Sequence, residues 1–245
     1  LFVERRQLVS ELDLALGAVG LYAGQQNTEH PQPDSIIAVD DNRLLGGPTT
    51  ASVRMEAGSV TLRAGSLVQA LNQVDIEALG STEGTGNIEL AGTARVVSGD
   101  KIALHAEGSI LGNTHTDGLF TQIEAPKVFL GARKNLYAHV DAAEIVAGDG
   151  PANLTGDGDL VDLVLTGTQA TTLRGVGNGD GAVHIWAPFT SLLRVSGNLP
   201  ADMDGGGPGT GGVVGKSVYI SSGGDLHVGH RVKATDAGGT GIEMS

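Results

Sequence analysis

Short runs of alternating apolar and polar residues return along most of the chain. Residues 59–62, 101–106 and 182–186 are three such runs, and each is followed by a small residue or a polar turn. Successive side chains of a strand point to opposite faces, so each run predicts a short strand with one buried face. Long apolar faces of helical period are missing and glycine is spread throughout, which disfavours helices. The pattern therefore predicts an all-β protein.

The strands are short, uniform and self-similar, and this favours a stack of coils over a sandwich or a propeller. The turns carry Ala-Gly, Ser-Gly or Gly-Asn more often than the Asn-Gly and Asp-Gly pairs typical of hairpins. We therefore predict an elongated parallel β-helix, that is, a β-solenoid with loop insertions. Three strands and roughly twenty-odd residues per coil would give on the order of ten coils.

The whole chain, 1–245, is predicted to be one solenoid. Residues 1–35 are its start or cap region, and the low-complexity stretch 199–212, rich in Gly and Pro, is a loop insertion. Polar residues at 25–33 predict another loop, and 112–119 a smaller excursion. Both ends cut through the running pattern, so we expect a segment of a longer chain.

Composition narrows the classes of function. The net charge of −13 disfavours nucleic acid and anionic membrane surfaces as partners, since both attract basic proteins. No run is long and apolar enough for insertion into a membrane. The chain has no Cys, which excludes disulfides and thiolate chemistry, and only 3% of its residues are aromatic. We expect a core of Val, Leu, Ile and Ala.

Several motifs carry a family resemblance. Residues 223–228 (GGDLHV), 86–92 (GNIELAG) and 108–113 (GSILGN) resemble the repeats of filamentous-haemagglutinin-type exoproteins and other giant repetitive bacterial surface proteins. The resemblance covers roughly residues 50–245. It implies a right-handed parallel β-helix, secretion to the outside of the cell, and adhesion to cells or surfaces. It brings no catalytic residues with it.

Two stretches rich in Gly and Asp are the candidate metal sites. Alternating Gly and Asp around Asp157 and Asp159, and again near Asp180, are similar to calcium-binding β-roll repeats, so these three carboxylates are the candidate calcium ligands. Asp is equally at home in plain turns, and that alternative stays open. His227 and His230 stand three apart, which places them on opposite faces of a strand unless the chain bends.

Other histidines lie inside strand motifs. For His105, His139 and His184 we expect positions on the solvent face. The phosphate-loop-like stretch 210–217 and the Gly-rich stretch 175–181 both lead into predicted strands, whereas phosphate-binding loops lead into helices. Neither is therefore read as a nucleotide site, and no cofactor is predicted.

Three functions remain open. The first is non-enzymatic adhesion or scaffolding outside the cell, by contact with a cell-surface or matrix ligand. The second is a carbohydrate-active β-helix enzyme, for which Asp100, Asp117, Glu124 and Asp141 are the candidate carboxylates, although the sequence brings no two of them together. The third is a filament subunit that associates end to end with other copies.

The first is preferred because the aromatic residues look too scattered to line a groove for sugars. They include Phe120, Phe129, Tyr137, Trp186, Phe189 and Tyr219.

Overall fold

The structure is a computed structural model. It describes residues 36–80, 85–148, 160–178, 181–197, 211–235 and 241–245, together with the backbone of three strands within 2–23. The predicted calcium ligands Asp157, Asp159 and Asp180, the predicted loop at 25–33 and most of the predicted insertion at 199–212 lie outside the described residues. Gly212 itself already belongs to a strand, so the end predicted for that insertion is one residue too late.

Short strands make up most of the described chain. In chain order they are β1 Phe2–Val3, β2 Arg6–Val9, β3 Gly17–Ala23, β4 Ile36–Val39, β5 Leu44–Gly46, β6 Thr50–Ala57, β7 Ser59–Leu62, β8 Leu67–Ala70, β9 Gln73–Ala78, β10 Ile88–Leu90, β11 Arg95–Ser98, β12 Lys101–Ala106, β13 Ile110–Leu111, β14 Ile123–Glu124, β15 Lys127–Ala132, β16 Leu136–Asp141, β17 Glu144–Gly148, β18 Leu160–Leu165, β19 Thr171–Gly177, β20 Ala182–Ala187, β21 Leu192–Val195, β22 Gly212–Gly215, β23 Val218–Ser222, β24 Asp225–Val228, β25 Val232–Ala234 and β26 Ile242–Met244.

The strands pair in parallel and stack into a β-solenoid, which confirms the predicted fold class. One turn advances 28 residues from Val60 to its neighbour Ile88, and 22 residues from Ile88 to Ile110. The predicted coil length is therefore right, and the column from β2 to β26 contains ten stacked strands, in agreement with the predicted number of about ten coils. No helix occurs in the described part of the chain, and hence none that could cross a membrane.

Coil cross-section changes along the stack. In the earlier coils each turn has three strands, as in β7, β8 and β9, and these belong to three separate columns. The six-residue strand β16 then pairs with both β13 and β14, so that two columns merge on it. The predicted three strands per coil hold for the turns β7–β8–β9 and β10–β11–β12. The turns β16–β17 and β18–β19 have two strands, and the turns β20–β21–β22 and β23–β24–β25 have three again.

Inward-facing side chains form apolar ladders with one side chain per turn. One ladder runs through eight coils at nearly zero exposure: Ile37, Val60, Ile88, Ile110, Leu136, Val161, Val183 and Val218. A second ladder contains only alanine, at Ala57, Ala78, Ala106 and Ala132, where little space remains between the sheets. Burying each large aliphatic side chain contributes roughly 1.5–3 kcal/mol. The expected core of aliphatic side chains is confirmed.

Glycine-rich motifs behave as their context predicted. The stretch 175–181 is followed by β20, and the stretch 210–217 by β23, so neither opens a helix that could hold a phosphate. The predicted excursion at 112–119 is confirmed as well, because no strand lies between Leu111 and Ile123. That excursion builds the candidate site.

Candidate functional site

A loop that we call the strap, residues 112–121, connects β13 to β14 and lies on the outer face of β16 and β18. At its base Gly112 donates its N–H to the carbonyl oxygen of Tyr137 at 2.8 Å, and Asn113 donates to Oε1 of Gln122 at 2.7 Å. A Cβ at position 112 would lie 2.6 Å from that same Oε1 and 2.7 Å from the Tyr137 carbonyl oxygen. The base of the strap therefore requires glycine.

His139 fastens the strap from below. Its Nε2 donates to the carbonyl oxygen of Thr114 at 2.8 Å. Its Nδ1 lies 3.2 Å from the carbonyl oxygen and 3.4 Å from the backbone nitrogen of Phe120. The ring is completely buried, so the predicted solvent-face position of His139 is wrong. The position does face outward from the core, and it is the strap that covers it.

The other two histidines are less covered. The side chain of His105 is 49% exposed, which confirms its predicted position. His184 is half-buried, and this burial lowers the pKa of its imidazole below the usual value. His184 therefore remains neutral at physiological pH.

Four rings meet beside the strap. His115 stacks on Trp186 with 4.8 Å between ring centroids and 10° between planes. Tyr219 lies 4.6 Å from Trp186, and His184 lies 6.1 Å from Tyr219 and 6.3 Å from His115. We call His115, His184, Trp186 and Tyr219 the ring cluster. The expectation that the aromatics are scattered is wrong for Trp186 and Tyr219.

Strand register explains this convergence. Asp162 pairs with His184, and His184 with Tyr219, so these three side chains form one outward column on β18, β20 and β23. Trp186 lies two residues after His184 and therefore points to the same face. The strap then brings His115 onto that column from 47 residues away in sequence.

A buried carboxylate lies under the ring cluster. Asp162 is 1% exposed, and its Oδ2 accepts hydrogen bonds from both the backbone N–H of His115 at 3.1 Å and the His115 ring Nδ1 at 2.8 Å. These bonds fix the orientation of the His115 ring. Charge-assisted bonds of this kind are among the stronger hydrogen bonds in proteins.

Three polar atoms at this place are buried and have no hydrogen-bond partner among the described residues: Asp162 Oδ1, His184 Nδ1 and Trp186 Nε1. A buried polar group without a partner costs about 1–3 kcal/mol. Native proteins keep few such groups, and three within one cluster is the kind of deficit that a bound ligand relieves.

The strap also carries an acidic residue at its tip. Asp117 accepts hydrogen bonds at Oδ2 from the backbone N–H of Thr114 at 2.7 Å and from its hydroxyl at 2.9 Å. These bonds hold the pKa of Asp117 below its usual value, so this carboxylate stays ionised and is unsuited to act as a general acid.

The other predicted carboxylates are placed differently. Glu124 and Asp141 are partners in register on β14 and β16, so the structure brings together two residues that the sequence left apart. Glu124 is paired with Arg95 at 2.6 Å, and Asp141 accepts from Gln169 at 3.2 Å.

In the described ranges, no group of three or more His, Asp or Glu side chains is placed so that it could hold a metal ion. His227 and His230 are both exposed, as expected for surface histidines. The predicted calcium ligands are outside those ranges, so calcium stays a prediction.

Comparisons with known proteins gave no match to any family model, to any curated protein or to any solved structure. Function must therefore be argued from the geometry.

Proposed function

We propose that this chain is a segment of an extracellular surface protein that acts by contact, in adhesion or as a scaffold, and turns over no substrate. The observation that carries the proposal is the register of the solenoid, which repeats outward-facing side chains once per turn along the whole described stack. Such a stack builds a long contact surface from short, similar units. The resemblance to filamentous-haemagglutinin-type exoproteins agrees with this proposal.

Surface charge argues against nucleic acid and other anionic partners. Arginines on the outer faces pair with acids of neighbouring turns: Arg63 with Asp40 at 2.8 Å, Arg95 with Glu124 and Arg174 with Glu144, both at 2.6 Å. These pairs leave the arginines partly neutralised, and the chain as a whole carries −13. Nucleic acid, which needs a basic surface, is a poor partner for such a protein.

Self-association is part of the proposal. End-to-end contact between copies would continue the stack of coils from one chain to the next.

The test combines binding, turnover and size. Purified protein is incubated with cultured cells, with matrix-coated surfaces and with a panel of soluble polysaccharides, and its mass is measured by light scattering over a concentration series. Retention on a cell or matrix surface without release of reducing ends is the expected result. Cleavage of any polysaccharide would overturn the proposal.

A second function, glycan cleavage, is favoured by one observation. Glu56 and Glu77 are partners in register on the outer face of β6 and β9. Burial, together with the nearby Glu56 carboxylate, raises the pKa of Glu77. A carboxyl group with a raised pKa beside a second carboxylate is the arrangement that glycosidases use.

Arg54 contacts both carboxylates, at 3.3 and 3.6 Å, which also fits a purely structural ion network. Glycan cleavage by the parent that is lost in Glu77→Gln would establish the enzyme. Absence of cleavage by the parent in the same assay would exclude it.

A further inference from the structure

We propose that Asp162, His184 and Trp186 form a binding site for a neutral sugar ring, which takes the place on Trp186 that the His115 imidazole occupies in this structure. The inference deepens the proposed function, on which it rests, by naming the class of ligand and the place where it binds.

The unpartnered atoms define what the ligand must offer. Asp162 Oδ1 can only accept a hydrogen bond, and Trp186 Nε1 can only donate one. His184 is neutral at physiological pH, so its Nδ1 takes either role according to its tautomer. Sugar hydroxyls donate and accept, and neighbouring hydroxyls on one ring would satisfy an acceptor and a donor together.

Charged ligands satisfy only part of this set. An anionic polysaccharide would bring negative charge to the buried Asp162 carboxylate and to a chain of net charge −13. A lysine side chain would suit Asp162 but leave Trp186 Nε1 without an acceptor. The mixed requirement favours a neutral polyol.

His115 shows what such a ligand would do. Its ring lies nearly parallel to the indole of Trp186 and bonds through a polar hydrogen to the buried carboxylate of Asp162. A sugar ring that stacks on the indole and donates one hydroxyl to Asp162 would make the same two contacts. The His115 imidazole is therefore a stand-in for the ligand.

The strap has the means to yield this place. His139 anchors it on either side, at Thr114 and at Phe120, while residues 115–119 between those anchors are exposed. Lifting this short segment would remove His115 from Trp186 and release Asp162 Oδ2 from its two hydrogen bonds with His115. The anchors and the core ladder can remain in place while it moves.

Calorimetric titration of the full chain tests the proposal. The probes are cellohexaose, maltohexaose and mannohexaose as neutral sugars, with polygalacturonate and pentalysine as charged ones. We expect at least one neutral hexamer to bind and both charged probes to fail. Binding of a charged probe alone, or of none, would overturn the inference.

Variants make the test specific. Trp186→Phe keeps a ring but removes the indole N–H, and it should weaken binding about fivefold; Asp162→Asn should weaken it about tenfold. His115→Ala removes the competing ring and should tighten binding several-fold, an outcome that a structural role of the cluster would not give. Phe129→Leu, on the outer face of the other sheet, is the matched control and should leave affinity unchanged.

Folding is checked for every variant by circular dichroism and melting temperature. Unchanged affinity in both Trp186→Phe and Asp162→Asn would refute the site. If, in that case, both variants adhere to cells as well as the parent does, the sugar site is refuted but the proposed function stands. If the parent cleaves a glycan, the proposed function falls, whatever the variants bind.

Discussion

Replacing His139 by alanine should release the strap from the face of the solenoid. The imidazole is completely buried and is bonded at 2.8 Å to the carbonyl oxygen of Thr114 and in contact with the backbone of Phe120. Its removal leaves those backbone groups without their partner and opens a cavity of ring size. Each lost hydrogen bond costs about 0.5–1.5 kcal/mol and the cavity adds to it, so we expect a loss of roughly 2–4 kcal/mol. For a chain of this size that corresponds to a fall in melting temperature of about 4–16 °C.

Hydrogen exchange resolves this prediction by residue. Amides of residues 112–121 should exchange much faster in His139→Ala, while those of the central strands β9 and β12 keep their protection. His105→Ala is the matched control, because that side chain is half-exposed on the other sheet and its loss should change stability by less than about 0.5 kcal/mol. If the two variants melt alike and the strap amides are equally protected, His139 does not anchor the strap.

Three further predictions concern stability. Because its pKa is raised, Glu77 holds its proton more tightly in the folded chain than in the unfolded chain, so stability falls as pH rises from 4.5 through the raised pKa. Glu77→Gln should therefore raise the melting temperature at pH 7.5. This gain should vanish at pH 4. Leu104→Ala, in the middle of a buried ladder, should cost about 2–5 kcal/mol in urea denaturation, and a loss below 1 kcal/mol would contradict the core packing. If the three aspartates predicted to bind calcium do so, chelator should lower the melting temperature, and identical melting curves would remove calcium.

Much of the fold could be predicted from sequence because its signal is local. Alternation within runs such as 101–106 reports the buried face directly, and the structure buries Ile102, Leu104 and Ala106. The length of each turn could not be predicted, because the loops between strands differ in length and leave no periodic trace. The merging of two columns at β16 leaves no signal in the sequence, because a six-residue strand has the same alternating pattern whether it pairs with one column or with two.

The site was missed for a different reason. Asp162, His184 and Tyr219 become neighbours only through strand register, and register depends on loop lengths that the alternating pattern does not report. His115 reaches them through a loop, for which no period exists. One signal was available: each of these three residues occupies the polar position of its strand motif, where most motifs carry an ordinary surface residue. Comparing that position from motif to motif would have singled out the column.

Inserting the strap has left the stacking of the coils undisturbed. On one side of it Ile110 still pairs with Leu136, and on the other Ile123 still pairs with Val140. The length of this connection is thus uncoupled from the pairing of the strands on either side of it. A loop of this kind could be inserted between strands of another turn. It would add a different binding surface there while the pairing of the strands stayed the same.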